Sequence, residues 1–213
     1  MTDTALTSEA HEPPVGMAAH EGAEHHGTNT GISNEKLAMW VFLGSECLLF
    51  GGLISTYLLY KQNNQAGGPI PHDLYELGFT SISSFVLLMS SLTMVLAVAA
   101  IGRGDEQKLR TWLLTTAGLG CIFIAGQVYE FQVFLQEGMG FTTNAASSAF
   151  FTLTGFHGVH VTLGIVMLVS ATVMSARGRI PPARAEAVEI VGLYWHFVDV
   201  VWILIFTVVY LIE

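Results

Sequence analysis

The chain has 213 residues, of which 52% are hydrophobic and only 12% charged, and its mean hydropathy is +0.54. A soluble domain carries about twice that charged fraction, so a water-soluble globular protein is excluded. The formal net charge of −9, concentrated partly in an acidic N-terminal stretch without Lys or Arg, argues against nucleic acid as a partner.

Residues 1–35 read as a polar, disordered tail rich in Glu, Ala, Gly, Pro and His. No basic start, apolar run and cleavage site follow one another there, so the tail is not a secretory signal. His11, His20, His25 and His26 are irregularly spaced, which fits an incidental chelator better than a defined metal site.

Five apolar stretches follow at about 38–60, 79–101, 111–135, 147–174 and 190–212. Each exceeds the roughly 20 residues that cross a hydrocarbon core of about 30 Å. In lipid each must be helical, because every backbone N–H and C=O has to be satisfied within the segment. The expected fold is an all-α integral membrane bundle of five transmembrane helices over residues 36–213. Cys47 and Cys121 lie in separate apolar runs and form neither a disulfide framework nor a CxxC site.

Lys36, Arg103, Lys108, Arg110, Arg177, Arg179 and Arg184 fall on one side of these spans, and only Lys61 on the other. This positive-inside bias puts the N-terminus in the cytoplasm and Glu213 outside. The connections are short, and that at 61–78, with Gly67-Gly68-Pro69-Ile70-Pro71, favours turns. No extramembrane segment could build a catalytic domain, and no inverted repeat is visible.

The informative residues are those that are costly in lipid: Glu46, Glu130, Asp199, His157, His160 and His196, together with Gln127. His196 and Asp199 are three apart and share a helix face, as do His157 and His160, and Gln127 and Glu130. The His196–Asp199 pair reads either as a proton relay or as a polar clamp between helices. His157 and His160 suit metal or haem ligation chemically, but such a pair needs further donors. Glu46, in an apolar setting, reads either as a proton-transfer group or as a structural hydrogen-bond partner. Glycines at 118, 120 and 126, and at 155, 158 and 164, permit close helix approach.

Four stretches carry a resemblance: Trp40-Val41-Phe42-Leu43-Gly44-Ser45-Glu46, Gln127-Val128-Tyr129-Glu130-Phe131, Thr154 to Val161, and Tyr194 to Trp202. In this order, on these helices, they resemble subunit III of haem–copper terminal oxidases over residues 38–212. The chain looks like the short five-helix bacterial form, which lacks the first two helices of longer members. The resemblance implies a non-catalytic subunit with no cofactor of its own, the haems and copper being held by partner subunits, with bound phospholipid as a candidate ligand. Implied partners are subunit I as the main contact, subunit II, a small subunit IV and membrane lipid, in the bacterial plasma membrane. The implied role is to sustain proton uptake and turnover stability, and the carboxylate matching Glu46 is linked to both.

The residues agree that this chain is not the catalytic subunit. Two haems and a copper need six intramembrane histidines, and only three of the eight histidines here are intramembrane. Glu rather than Asp at position 46 favours a cytochrome c oxidase over a quinol oxidase. A stand-alone proton-coupled transporter using Glu46, Glu130 and Asp199, and a membrane haem protein, are the alternatives from other classes.

Overall fold

A computed structural model describes residues 33–62, 77–178 and 185–211. The tail before Ser33, the Gly-Pro connection, Arg179, Arg184 and Glu213 lie outside the described residues. The elements are α1 (Asn34–Gln62), α2 (Leu77–Gly102), α3 (Glu106–Gln136), α4 (Ala145–Ala176) and α5 (Ala185–Phe206), the last continuing as a π-helical turn, Thr207–Leu211. Among the described residues, these five helices are long and apolar enough to cross a membrane. They overrun the apolar stretches by a few residues at most ends, and a polar cap starts α1, α3 and α4 outside their apolar runs.

Those caps are local. The Ser33 hydroxyl accepts from the Lys36 amide at 3.2 Å, which starts α1 two residues inside the stretch assigned to the tail. Asp105 and Asn144 do the same for α3 and α4, accepting from Lys108 at 3.0 Å and Ser147 at 2.6 Å. At the far end of α3, Gly138 adopts φ +85°, and the Met139 amide reaches back to the Phe134 carbonyl at 2.9 Å. That left-handed closure favours glycine.

In the bundle, α5 packs against α1, α2 and α4, while α3 joins α2 to α4. Helix α1 is held mainly by α4 and α5 and keeps most of its surface outward, with Trp40, Val41 and Leu48 exposed. In lipid such exposure is expected, since the solvent for these faces is acyl chain.

The core is anchored by two indoles seven residues apart on α5. Trp195 donates to Ser90 Oγ and Trp202 to Ser84 Oγ, both at 2.9 Å, while each serine passes its own proton to a carbonyl of α2. The Trp195 ring lies across two glycines: a Cβ on Gly120 or Gly164 would stand 2.7–2.8 Å from it. Bare backbone there lets α3, α4 and α5 close around one ring.

Polar ties also gather the positively charged helix ends. Ser33 bonds to Glu186, and Lys36 Nζ lies 2.7 Å from Glu189, joining the starts of α1 and α5. Arg110 bonds to Ser175 at 3.1 Å and to Glu106 at 2.8 Å, joining the start of α3 to the end of α4. Lys36 and Arg110 therefore each tie two helix ends together.

Candidate functional site

The seven polar residues do not form one site; they form three interhelical clusters and one enclosed ring. The first cluster joins α1 to α4. Glu46 Oε2 lies 3.1 Å from His160 Nε2, and both side chains are largely covered. His160 Nδ1 is 2.8 Å from the Phe156 carbonyl, which can only accept, so Nδ1 carries hydrogen. The Glu46–His160 contact then needs one more proton, held either by the imidazole or by the carboxyl. Phe50 sets its edge against this imidazole at 5.0 Å, and the Tyr194 hydroxyl donates to the His160 carbonyl at 3.1 Å.

The second cluster corrects the expected pairing of Gln127 with Glu130. Each bonds across the bundle to a different helix. Gln127 Nε2 donates to the Thr154 carbonyl on α4 at 2.8 Å. Glu130 Oε1 instead accepts from Thr80 of α2 at 2.8 Å and from Tyr210 at 3.2 Å. Tyr210 belongs to the π-helical turn, whose wider winding offsets the helix register just where that phenol meets the carboxyl.

The third cluster corrects the expected direct pair of His196 with Asp199. Ser91 of α2 stands beside both: its hydroxyl is 2.8 Å from His196 Nδ1, and it is the hydroxyl that neighbours the Asp199 carboxyl. Asp199 is 4% exposed, and its Oδ1 has no hydrogen-bond partner among the described residues. The spacing of three keeps both groups on one face, but a neighbouring helix supplies the hydroxyl beside both.

His157 departs furthest from a ligand reading. It is fully buried, neither ring nitrogen has a hydrogen-bond partner among the described residues, and it stacks on Trp202 at 4.9 Å with Phe123 and Phe50 at its edges. Phe50 touches both His157 and His160, yet the two imidazoles turn to different neighbours. Among the described residues, no group of three or more His, Cys, Asp or Glu side chains could hold a metal ion.

Reading the sequence missed Ser91, Thr80 and Tyr210. Thr80, Ser84, Leu87 and Ser91 recur at four, three and four residues, so the hydroxyl stripe on α2 was visible as one helix face. Tyr210 was not, because its aim depends on the π-helical turn.

The family model described as cytochrome c oxidase subunit III matches residues 15–213, which includes part of the stretch left outside the resemblance. Cytochrome c oxidase subunit 3 of Bacillus sp. (strain PS3) is 40% identical over 178 residues, covering 84% of this chain and 86% of that protein. Quinol oxidase subunit 3 of Bacillus subtilis (strain 168) is 38% identical over 198 residues, covering 90% and 97%. Cytochrome bo(3) ubiquinol oxidase subunit 3 of Pseudomonas putida is 37% identical over 176 residues, covering 83% and 84%.

Proposed function

The chain belongs to the cytochrome c oxidase subunit III family of haem–copper oxidases, and from that premise we propose that it is the non-catalytic third subunit of a proton-pumping oxidase that reduces O₂ to water. The observation that carries this reading is the match along the whole membrane bundle at close to 40% identity, with similar coverage of both chains. It packs against subunit I in a bacterial plasma membrane, with subunit II and a small fourth subunit as further neighbours. The haems and copper belong to those partners. Phospholipid against the exposed α1 face is the ligand this chain would take.

Within that assembly the polar clusters support proton uptake and turnover stability. The Glu46–His160 contact ties α1 to α4, so losing it alters how the two helices are held. The electron donor in this reading is cytochrome c, favoured by Glu at position 46 and by the Bacillus sp. relative. The quinol alternative is supported by relatives of nearly equal identity that carry that name. Oxygen uptake by the purified complex, driven by reduced cytochrome c in one assay and by quinol in another, decides between them. Migration of the gently extracted chain on its own, with substrate uptake in vesicles, would instead support the transporter reading.

A further inference from the structure

Helices α1 and α2 each pack on α5, and a groove of about 410 Å³ opens between them. Lys36 of α1, Val95, Val98 and Ala99 of α2, and Glu189 and His196 of α5 line it. Its mouth carries the Lys36–Glu189 ion pair, at the starts of α1 and α5. Its inner wall is the imidazole of His196, whose Nδ1 meets the Ser91 hydroxyl at 2.8 Å. Behind Ser91 stands Asp199, about 21 Å along α5 from Ala185 at 1.5 Å per residue. That places a carboxyl with one unpartnered oxygen in the middle of the membrane.

A buried carboxylate oxygen without a donor is costly in hydrocarbon, and intramembrane acids mark ion or proton paths by default. The groups around it leave few other partners. Helix α2 has no ionisable residue, and on that side Ser91 is the hydroxyl beside Asp199. On α1, Lys36 is engaged by Glu189 and Glu46 by His160. On α4, His160 is taken up by Glu46, and His157 is enclosed against Trp202. On α3, Glu130 is bonded to Thr80 and Tyr210.

We propose that this groove is a proton-access path from the positively flanked end of the bundle, in which His196 and Ser91 hand a proton to Asp199 as a mid-membrane proton-binding site. The transfer balances. A hydronium in the groove protonates His196 Nε2, and the proton on Nδ1 passes to Ser91 Oγ. The original Ser91 hydroxyl proton then moves to the Asp199 carboxylate. Asp199 ends neutral, and His196 ends neutral in its other tautomer, accepting from the renewed Ser91 hydroxyl. Reverse passage resets the chain, so Asp199 exchanges with one side only and the path stores protons rather than conducting them across.

The inference deepens the proton-uptake role proposed above and rests on that reading, so its test measures Asp199 itself and oxidase turnover separately. The assembled complex in lipid vesicles is switched from H₂O to D₂O at a series of pH values and followed by infrared spectroscopy. The protonated-carboxyl band of Asp199 is the one missing in Asp199→Asn. In the wild type that band shifts promptly on the switch. Exchange slows by about a hundredfold in His196→Leu, the usual scale for loss of a positioned proton-transfer group. Val95→Phe, which fills the groove from an exposed position and leaves every polar group in place, also slows it. It carries the test alone if His196→Leu does not assemble.

Absence of any band sensitive to Asp199→Asn overturns the proton-binding site. Wild-type exchange in Val95→Phe overturns the groove as its route, and wild-type exchange in His196→Leu overturns the relay. If exchange fails these tests while Glu46→Gln still shortens turnover lifetime, this path falls and the uptake role stands. If exchange behaves as expected but no polar variant alters turnover, the path stands and the uptake role falls.

Discussion

Ser91 shows how one hydroxyl decides the chemistry of two ionisable neighbours. A clamp made by His196 and Asp199 alone would make Asp199→Leu the damaging change, by stranding the imidazole. With Ser91 bonded to the imidazole, His196 keeps its Nδ1 partner in that variant, and the damaging change is Ser91→Ala, which strands the imidazole and removes the hydroxyl beside Asp199. Leaving a buried polar group without its partner costs about 1–3 kcal/mol. Ser91→Ala is therefore expected to lower the melting temperature of the complex more than Asp199→Leu does, as scanning calorimetry on both would show. For the Glu46–His160 contact the expectation concerns function. Glu46→Gln keeps a hydrogen-bonding partner for His160, so the subunit still co-purifies, but the carboxyl is lost. The number of turnovers before inactivation should fall, and an unchanged turnover lifetime in reconstituted enzyme would remove Glu46 from that role.

At the scale of the helix, packing depends on where backbone is left bare. A methyl group at position 164 would stand 2.8 Å from the Trp195 ring, which its bond to Ser90 holds in place, whereas nothing lies within 4 Å of one at 155. Overpacking of this kind costs about 1–3 kcal/mol. Gly164→Ala should therefore lose subunit from the complex on mild heating, while Gly155→Ala, also on α4, should retain it and gain slightly from helix propensity. The cap of α3 adds a pH dependence. Hydrogen bonds from Lys108, side chain first and then backbone, hold the Asp105 carboxyl below its ordinary value of 3.8. Because the folded value is the lower one, the contribution is complete above about pH 3.8 and disappears as pH falls through the depressed value. Asp105→Asn, which keeps the capping oxygen, should abolish that acid-side change in circular dichroism and leave neutral stability almost untouched.

Across the whole molecule, the spans were legible because hydrocarbon forces long apolar runs to be helical, whereas the α1 cap at Ser33 lay in the stretch read as tail. Partner assignments were not legible, since the groups paired by spacing on one helix bond to other helices or to nothing described. Glu46 and His160 are 114 residues apart in sequence, and nothing in either helix alone aims one at the other. Gln127 and Glu130 share a face of α3 yet bond to different helices, since spacing sets direction but neighbours set partners. Orientation is a property of this same scale, because it depends on the summed charge of loops and not on any one residue. Among the described cations only Lys61 lies at the far end of its helix from Lys36, so moving a single Lys should not invert the bundle. A reporter active only in the cytoplasm should work fused before residue 33, and one active only outside should work after Glu213. Cys47 and Cys121, exposed on α1 and α3, are removed first, and single cysteines then replace Gln107 near the start of α3 and Gln136 at its end. A membrane-impermeant thiol reagent added to intact cells should label position 136 and spare 107. Labelling of 107 instead would reverse the assigned orientation and place the mouth of the Asp199 groove on the outer face.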